Sequence, residues 1–129
     1  MNVSTETGST TVPFERFWLW LKEHANCILE AGTPTSSLLD FEDFHWGFIQ
    51  EDEGRVIAQL IRGKNLVGEV AIDPSEITLV QASLDAEGAG RGQWIFEAVG
   101  GGKGEEFVAA YFVLAHGLED LGKHEVLKH

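Results

Sequence analysis

The spacing of the apolar residues changes near residue 44, and this change constrains the fold more than any other feature of the sequence. Between residues 14 and 28, apolar side chains recur every three or four positions, which is the spacing of one face of an α-helix. Further along, Phe44, Trp46 and Phe48 alternate with their neighbours in the two-residue repeat of a β-strand. The sequence therefore predicts a chain that combines helix and sheet.

Turn residues divide the following segment into short strands. Turn signals at 52–54 and 63–65 bound strands at 55–62 and 66–72, so that 44–72 is predicted to form a three-stranded meander. Residues 73–76 resemble a helix cap, but the β-branched residues that follow favour a strand, and 74–84 stays open between the two. A glycine-rich connection then leads to a fifth strand at 93–99.

A second helix is predicted after the glycines at 100–104. Glutamates at 105–106 suit the positive N-terminal end of a helix, and 107–118 is apolar almost throughout. The predicted fold class is α+β, a mostly antiparallel five-stranded meander sheet flanked by an N-terminal and a C-terminal helix. We expect a single domain at 12–121, between a disordered tail at 1–11 and a fraying C-terminal tail at 122–129.

The charge balance excludes several classes of partner. The chain has 9 Lys+Arg against 21 Asp+Glu, a net charge of −12, so we expect neither nucleic acid nor an anionic membrane surface as a partner. A single cysteine excludes an internal disulfide, and the first residues lack the positive and apolar regions of a secretion signal. These features predict a cytoplasmic protein.

The residues that could carry chemistry have simpler explanations. Cys27 lies near the negative end of the first predicted helix and is expected to be a small apolar filler. His116, Asp120 and His124 have the helical spacing of metal ligands, but neighbouring glycines weaken that helix and we expect no metal. The 100–104 loop lacks the spacing of a Walker loop and is followed by glutamates. We predict no catalytic residue and no cofactor.

Two features indicate a protein partner. Helix one places Leu19 and Trp20 away from its apolar stripe, and tryptophan is enriched among interface anchors. The run 40–53 contains six acids and no Lys or Arg, interleaved with aromatic residues. It is either a core strand bracketed by solvated acidic turns or a surface that steers a basic partner. The predicted partner-binding residues are Leu19, Trp20, Asp40, Glu42, Asp43, Glu51, Asp52 and Glu53. We also expect a homodimer through the two helices.

The leading functional hypothesis is a non-enzymatic protein-interaction module. In size, acidity and helix–sheet–helix order, the chain resembles type III secretion chaperones and the immunity proteins that neutralise basic toxins. This resemblance implies a small acidic protein that binds another protein. Such chaperones place a helix between the third and fourth strands, where 73–76 could supply it.

Two alternatives stay open. The first is a small-ligand-binding domain or minor enzyme, whose pocket would lie between the sheet and the C-terminal helix. Its predicted lining residues are His45, Trp46, Trp94 and Tyr111. The second is that the acidity is an adaptation to salt and has no bearing on function.

Overall fold

The computed structural model describes residues 10–85 and 92–118, and this part of the chain is mostly sheet. It is 56% strand and 17% helical, with one α-helix and nine strands in two antiparallel sheets. The elements in chain order are β1 Thr10–Val12, α1 Phe14–Glu23, β2 Ile28–Thr33, β3 Ser36–Leu39, β4 Phe44–Gln50, β5 Val56–Arg62, β6 Asn65–Ile72, β7 Ile77–Leu84, β8 Trp94–Gly100 and β9 Phe107–Leu114. Short 3₁₀ turns, Ala25–Cys27 and Pro74–Glu76, precede β2 and β7.

The two sheets differ in their strand order. One has six strands in the order β1-β7-β8-β9-β2-β3, and the other has three in the order β4-β5-β6. The predicted meander at 44–72 is confirmed as the smaller sheet, whose β4–β5 pairing runs from Phe44↔Arg62 to Gln50↔Val56. Of the two alternatives for 74–84, the structure has the strand, β7, from Ile77 onward, and the strand predicted at 93–99 corresponds to β8. Both belong to the larger sheet.

The predicted C-terminal helix is wrong, because Phe107–Leu114 is β9. This strand lies inside the larger sheet, between β8 and β2. Alternate residues of β9 fill the core, among them Phe112 and Leu114, while Tyr111 lies on the opposite face. An interior strand can be apolar on both faces, and its continuous apolar run then lacks the alternation that separates a strand from a buried helix.

The first helix is also shorter than its apolar spacing predicts. It ends at Glu23, where the amide of His24 donates to the carbonyl of Leu21, 2.9 Å away. Ile28, which continues the helical spacing, instead begins β2 and is fully buried opposite Leu114 of β9. The predicted five-stranded sheet between two helices is thus replaced by two sheets and one helix within the described residues.

The ends of the predicted domain lie partly outside the described residues. Thr10 and Thr11, assigned to the tail from sequence, form β1 with Val12 and pair with β7. The remainder of that tail, 1–9, and the predicted C-terminal tail at 122–129 are outside the described ranges.

The core lies between the larger sheet on one side and α1 with the smaller sheet on the other. Phe17 of α1 packs on Phe96 and Phe112, with ring centroids 5.2 and 5.7 Å apart. Trp46 of β4 donates its indole N–H to the carbonyl of Ile28, 3.3 Å away, which ties the smaller sheet to β2. Burial of these large rings removes apolar area from water and stabilises the fold.

Candidate functional site

The acidic run at 40–53 is divided by a strand. Asp40, Glu42 and Asp43, called the first acidic cluster below, lie in the β3–β4 connection. Glu51, Asp52 and Glu53, the second acidic cluster, lie in the turn between β4 and β5. Eight residue steps along β4 separate Asp43 from Glu51, so the two clusters are about 26 Å apart along its length. The acids of this run therefore form two surfaces.

The second acidic cluster adjoins an open groove of about 330 Å³ between α1 and the β4–β5 turn. This surface, called the α1 groove below, is lined by Phe14, Glu15, Trp18, Leu19, Lys22, Gln50, Gly54, Val56 and Pro74. Among the lining residues, Phe14 and Trp18 are buried, whereas Leu19 is 60% exposed. The cluster occupies the turn between Gln50 and Gly54, so the structure brings predicted Leu19 and the second cluster to one place.

Arg55 partly neutralises the second acidic cluster. Its Nε donates to Oε1 of Glu51 at 2.8 Å, and an Nη approaches the same oxygen at the same distance. The hydrogen bond and the charge of Glu51 raise the pKa of Arg55, with smaller contributions from the charges of Glu53 and Asp73. Asp52 and Glu53 themselves are exposed to solvent. The carboxylates of Asp52 and Glu53 are thus accessible to a binding partner.

The first acidic cluster is accompanied by an exposed aromatic ring. Phe41 is 68% exposed, and its ring centroid lies 6.0 Å from that of Phe44 at the start of β4. The amide of Asp40 donates to the carbonyl of Leu29 at 3.0 Å, which fixes the connection against β2. Arg62 of β5 pairs with Phe44 across the sheet, so a basic residue lies near this cluster.

Trp20 is buried, so it does not offer the exposed side chain that its predicted role as a partner anchor requires. It is 2% exposed and packs on Phe96, His24 and His116, with ring centroids 5.3, 4.5 and 5.7 Å apart. The helix is covered over a wider arc than its apolar stripe suggests, because β8 and the segment after β9 both approach it. The homodimer expected through two helices stays a prediction, although Trp20 and 107–114 no longer provide its surface.

The four residues predicted to line a ligand pocket are not brought together. His45 is exposed and Trp46 is buried, on opposite faces of β4. Trp94 packs against the core, whereas Tyr111 lies on the outer face of the larger sheet. The helix that would have closed this pocket is β9, so the structure contains no cleft of the predicted composition in its described part.

Tyr111 instead fastens three strands together. Its hydroxyl donates to Oε2 of Glu30 at 2.5 Å, which joins β9 to β2. Burial, followed by the hydrogen bond and charge of Glu30, raises the pKa of Tyr111, while a hydrogen bond with Ser37 of β3 opposes this. Sequence spacing could not reveal this pair, because Glu30 and Tyr111 are 81 positions apart.

The described residues show neither a metal centre nor a membrane-spanning helix. In 10–85 and 92–118, no group of three or more His, Cys, Asp or Glu side chains is placed to hold a metal ion. Asp120 and His124, which share metal-ligand spacing with His116, lie outside these ranges. The helices of the described part are too short or too polar to cross a bilayer.

Comparison with known proteins assigns the chain to no family. No protein-family model matches it, and searches of curated proteins and of solved structures find no match. The α1 groove and the two acidic clusters are therefore the features from which a function is inferred.

Proposed function

We propose that this protein is a non-enzymatic interaction module that binds a basic segment of another protein at the α1 groove. The observation that carries the proposal is Leu19, 60% exposed at the rim of a groove whose floor includes Trp18. An apolar centre with a charged rim is the usual anatomy of a protein-binding surface.

The chemistry of the groove selects the kind of partner. An apolar side chain that covers Leu19 contributes on the order of 1–2 kcal/mol through the area removed from water. Glu15 and Lys22 of the lining offset each other's charge, so the negative charge of this surface comes from the neighbouring turn. Asp52 and Glu53 of that turn, within a chain of net charge −12, attract Lys and Arg and repel acidic proteins. We therefore propose a partner segment with an apolar anchor flanked by basic residues.

Selection from a random peptide library displayed on phage tests this proposal directly. The full chain is immobilised, and the enriched peptides are expected to combine a large apolar residue with Lys or Arg. Leu19→Glu should weaken their binding about tenfold, equivalent to about 1.4 kcal/mol. The double change Asp52→Lys and Glu53→Lys should weaken it similarly and reduce its dependence on salt.

Glu69→Lys provides a matched control for charge reversal. Glu69 is exposed on β6, on the smaller sheet but away from the groove, and its reversal should leave peptide binding unchanged. Enriched peptides without basic residues, or peptides that bind wild type and all variants equally, would contradict the proposal. Equal binding would also favour salt adaptation as the explanation of the acidity.

A further inference from the structure

Within the described residues, β4 is an edge strand of the smaller sheet. It pairs with β5 on one side and has no hydrogen-bonded strand on the other, where the short turn Ala25–Cys27 is the element that approaches β4. The β4–β5 register continues through seven pairs without a bulge, whereas β6, at the opposite edge, is interrupted at its pairing with Leu60 and Ile61. Bulges are a common protection of sheet edges against pairing, and β4 has none in its pairing with β5.

The direction of the β4 backbone groups follows from the turn. The amide of Glu51 donates to the carbonyl of Arg55 at 2.8 Å, which makes these residues a hydrogen-bonded pair. Because such pairs alternate in antiparallel sheets, the bonds to β5 come from the odd-numbered residues of β4. The N–H and C=O groups of Trp46, Phe48 and Gln50 therefore point away from β5, and within the described residues 45–50 make no backbone bond beyond the sheet.

The two acidic clusters lie at the two ends of this edge. The first cluster precedes Phe44 and the second follows Gln50, and 40–54 contains no Lys or Arg. An extended segment of about nine residues laid along β4 would span the same 26 Å and reach both clusters. The distance between the two acidic clusters thus matches the length of one added strand.

We propose that the partner segment binds by adding a strand to the free edge of β4, with basic residues at both of its ends. This inference rests on the proposed function for the nature of the partner and adds the mode of recognition. Backbone hydrogen bonds to Trp46, Phe48 and Gln50 supply affinity, and pairing of the end charges sets the register. Gln50 also lines the α1 groove, so a segment that continues past β4 enters it.

Amide hydrogen exchange, measured by NMR on the full chain, tests the edge itself. The probe is a nine-residue peptide with two lysines at each end and alternating valine and threonine between them. In the free protein, the amides of Trp46 and Phe48 should exchange faster than those of His45 and Gly47. On binding of the peptide, exchange at Trp46 and Phe48 should slow at least about tenfold, with little change at His45 and Gly47.

Two N-methylated forms of this peptide separate strand addition from docking through side chains alone. They carry identical side chains and charges, but the methyl groups occupy alternate residues in opposite phases. One phase blocks the peptide edge that faces β4 and should lower affinity at least about tenfold relative to the other. Equal affinities of the two phases, without protection of Trp46 and Phe48, would overturn strand addition while the proposed function survives.

Charge reversal at each end completes the test. Asp40→Lys with Glu42→Lys, and separately Asp52→Lys with Glu53→Lys, should each weaken the peptide, whereas Glu69→Lys on the opposite edge should not. Failure of the unmodified peptide to bind would also overturn strand addition, and the library selection would then decide the proposed function on its own. Circular dichroism of each variant establishes that the sheets are retained.

Discussion

Gly32 of β2 lies where the neighbouring strands leave no room for a side chain. A Cβ at this position would lie 2.3 Å from the carbonyl oxygen of Ser36 and 2.8 Å from Cε1 of Tyr111. Gly32→Ala should therefore lower the free energy of unfolding by about 1–3 kcal/mol, because backbone must move. Gly102→Ala, with open space around the added carbon, is the control and should change it by less than about 0.5 kcal/mol. Urea denaturation measures both, and equal losses would contradict this account of β2.

The pKa of Tyr111 can be measured directly from tyrosinate absorbance, because Tyr111 is the only tyrosine in the chain. Burial and Glu30 raise its pKa in the folded state above the ordinary value of 10.0, which means that folding favours the neutral phenol. The associated stability is fully present below pH 10 and is lost as the pH rises through the folded pKa. Tyrosinate absorbance should therefore titrate at higher pH in the native protein than in urea.

Two variants separate the causes of the Tyr111 shift. Glu30→Gln removes the negative charge and should move the native titration part of the way toward that of the unfolded chain. Tyr111→Phe removes the titrating group and should lower the free energy of unfolding at neutral pH by about 1 kcal/mol. Its unfolding free energy should then depend less on pH above 10. Coincident native and unfolded titrations of wild type would contradict the burial and hydrogen bond described for Tyr111.

At the scale of the element, β5 should contribute most of the stability of the smaller sheet. It is the central strand, and Leu60 is 1% exposed, whereas Leu66 on the neighbouring edge strand β6 is 54% exposed. Leu60→Ala should lower the free energy of unfolding by about 2–5 kcal/mol through lost burial and a cavity. Leu66→Ala removes the same atoms and should cost less than about 0.5 kcal/mol. Similar costs in thermal or urea denaturation would contradict the burial assigned to β5.

The elements also show which parts of the fold are readable from sequence. The meander was predictable because aromatic residues alternate with other residues in β4 and because turn residues stand at 52–54 and 63–65. β9 was not, because a strand between two others is apolar on both faces and its pattern equals that of a buried helix. The end of α1 was hidden because Ile28 keeps helical spacing although it belongs to β2.

At the scale of the molecule, the candidate site was only partly predictable. The exposure of Leu19 agrees with its position opposite the apolar stripe, since helical spacing alone determines it. The burial of Trp20 depends on β8 and on the segment after β9. The position of these segments beside α1 cannot be predicted from sequence spacing. The division of the acids of 40–53 into two clusters was predictable, because the strand predicted between them is β4.

Quantitative affinity capture from native lysate tests the central claim, partner binding at the α1 groove, most directly. Wild type, Leu19→Glu, Asp52→Lys with Glu53→Lys, and Glu69→Lys are immobilised side by side, and the retained proteins are compared by mass spectrometry. We predict at least one protein with a basic segment that wild type and Glu69→Lys retain equally and that the two groove variants lose by about tenfold or more, as the removal of about 1.4 kcal/mol requires. Retention of the same proteins in the same amounts by all four would contradict binding at this groove.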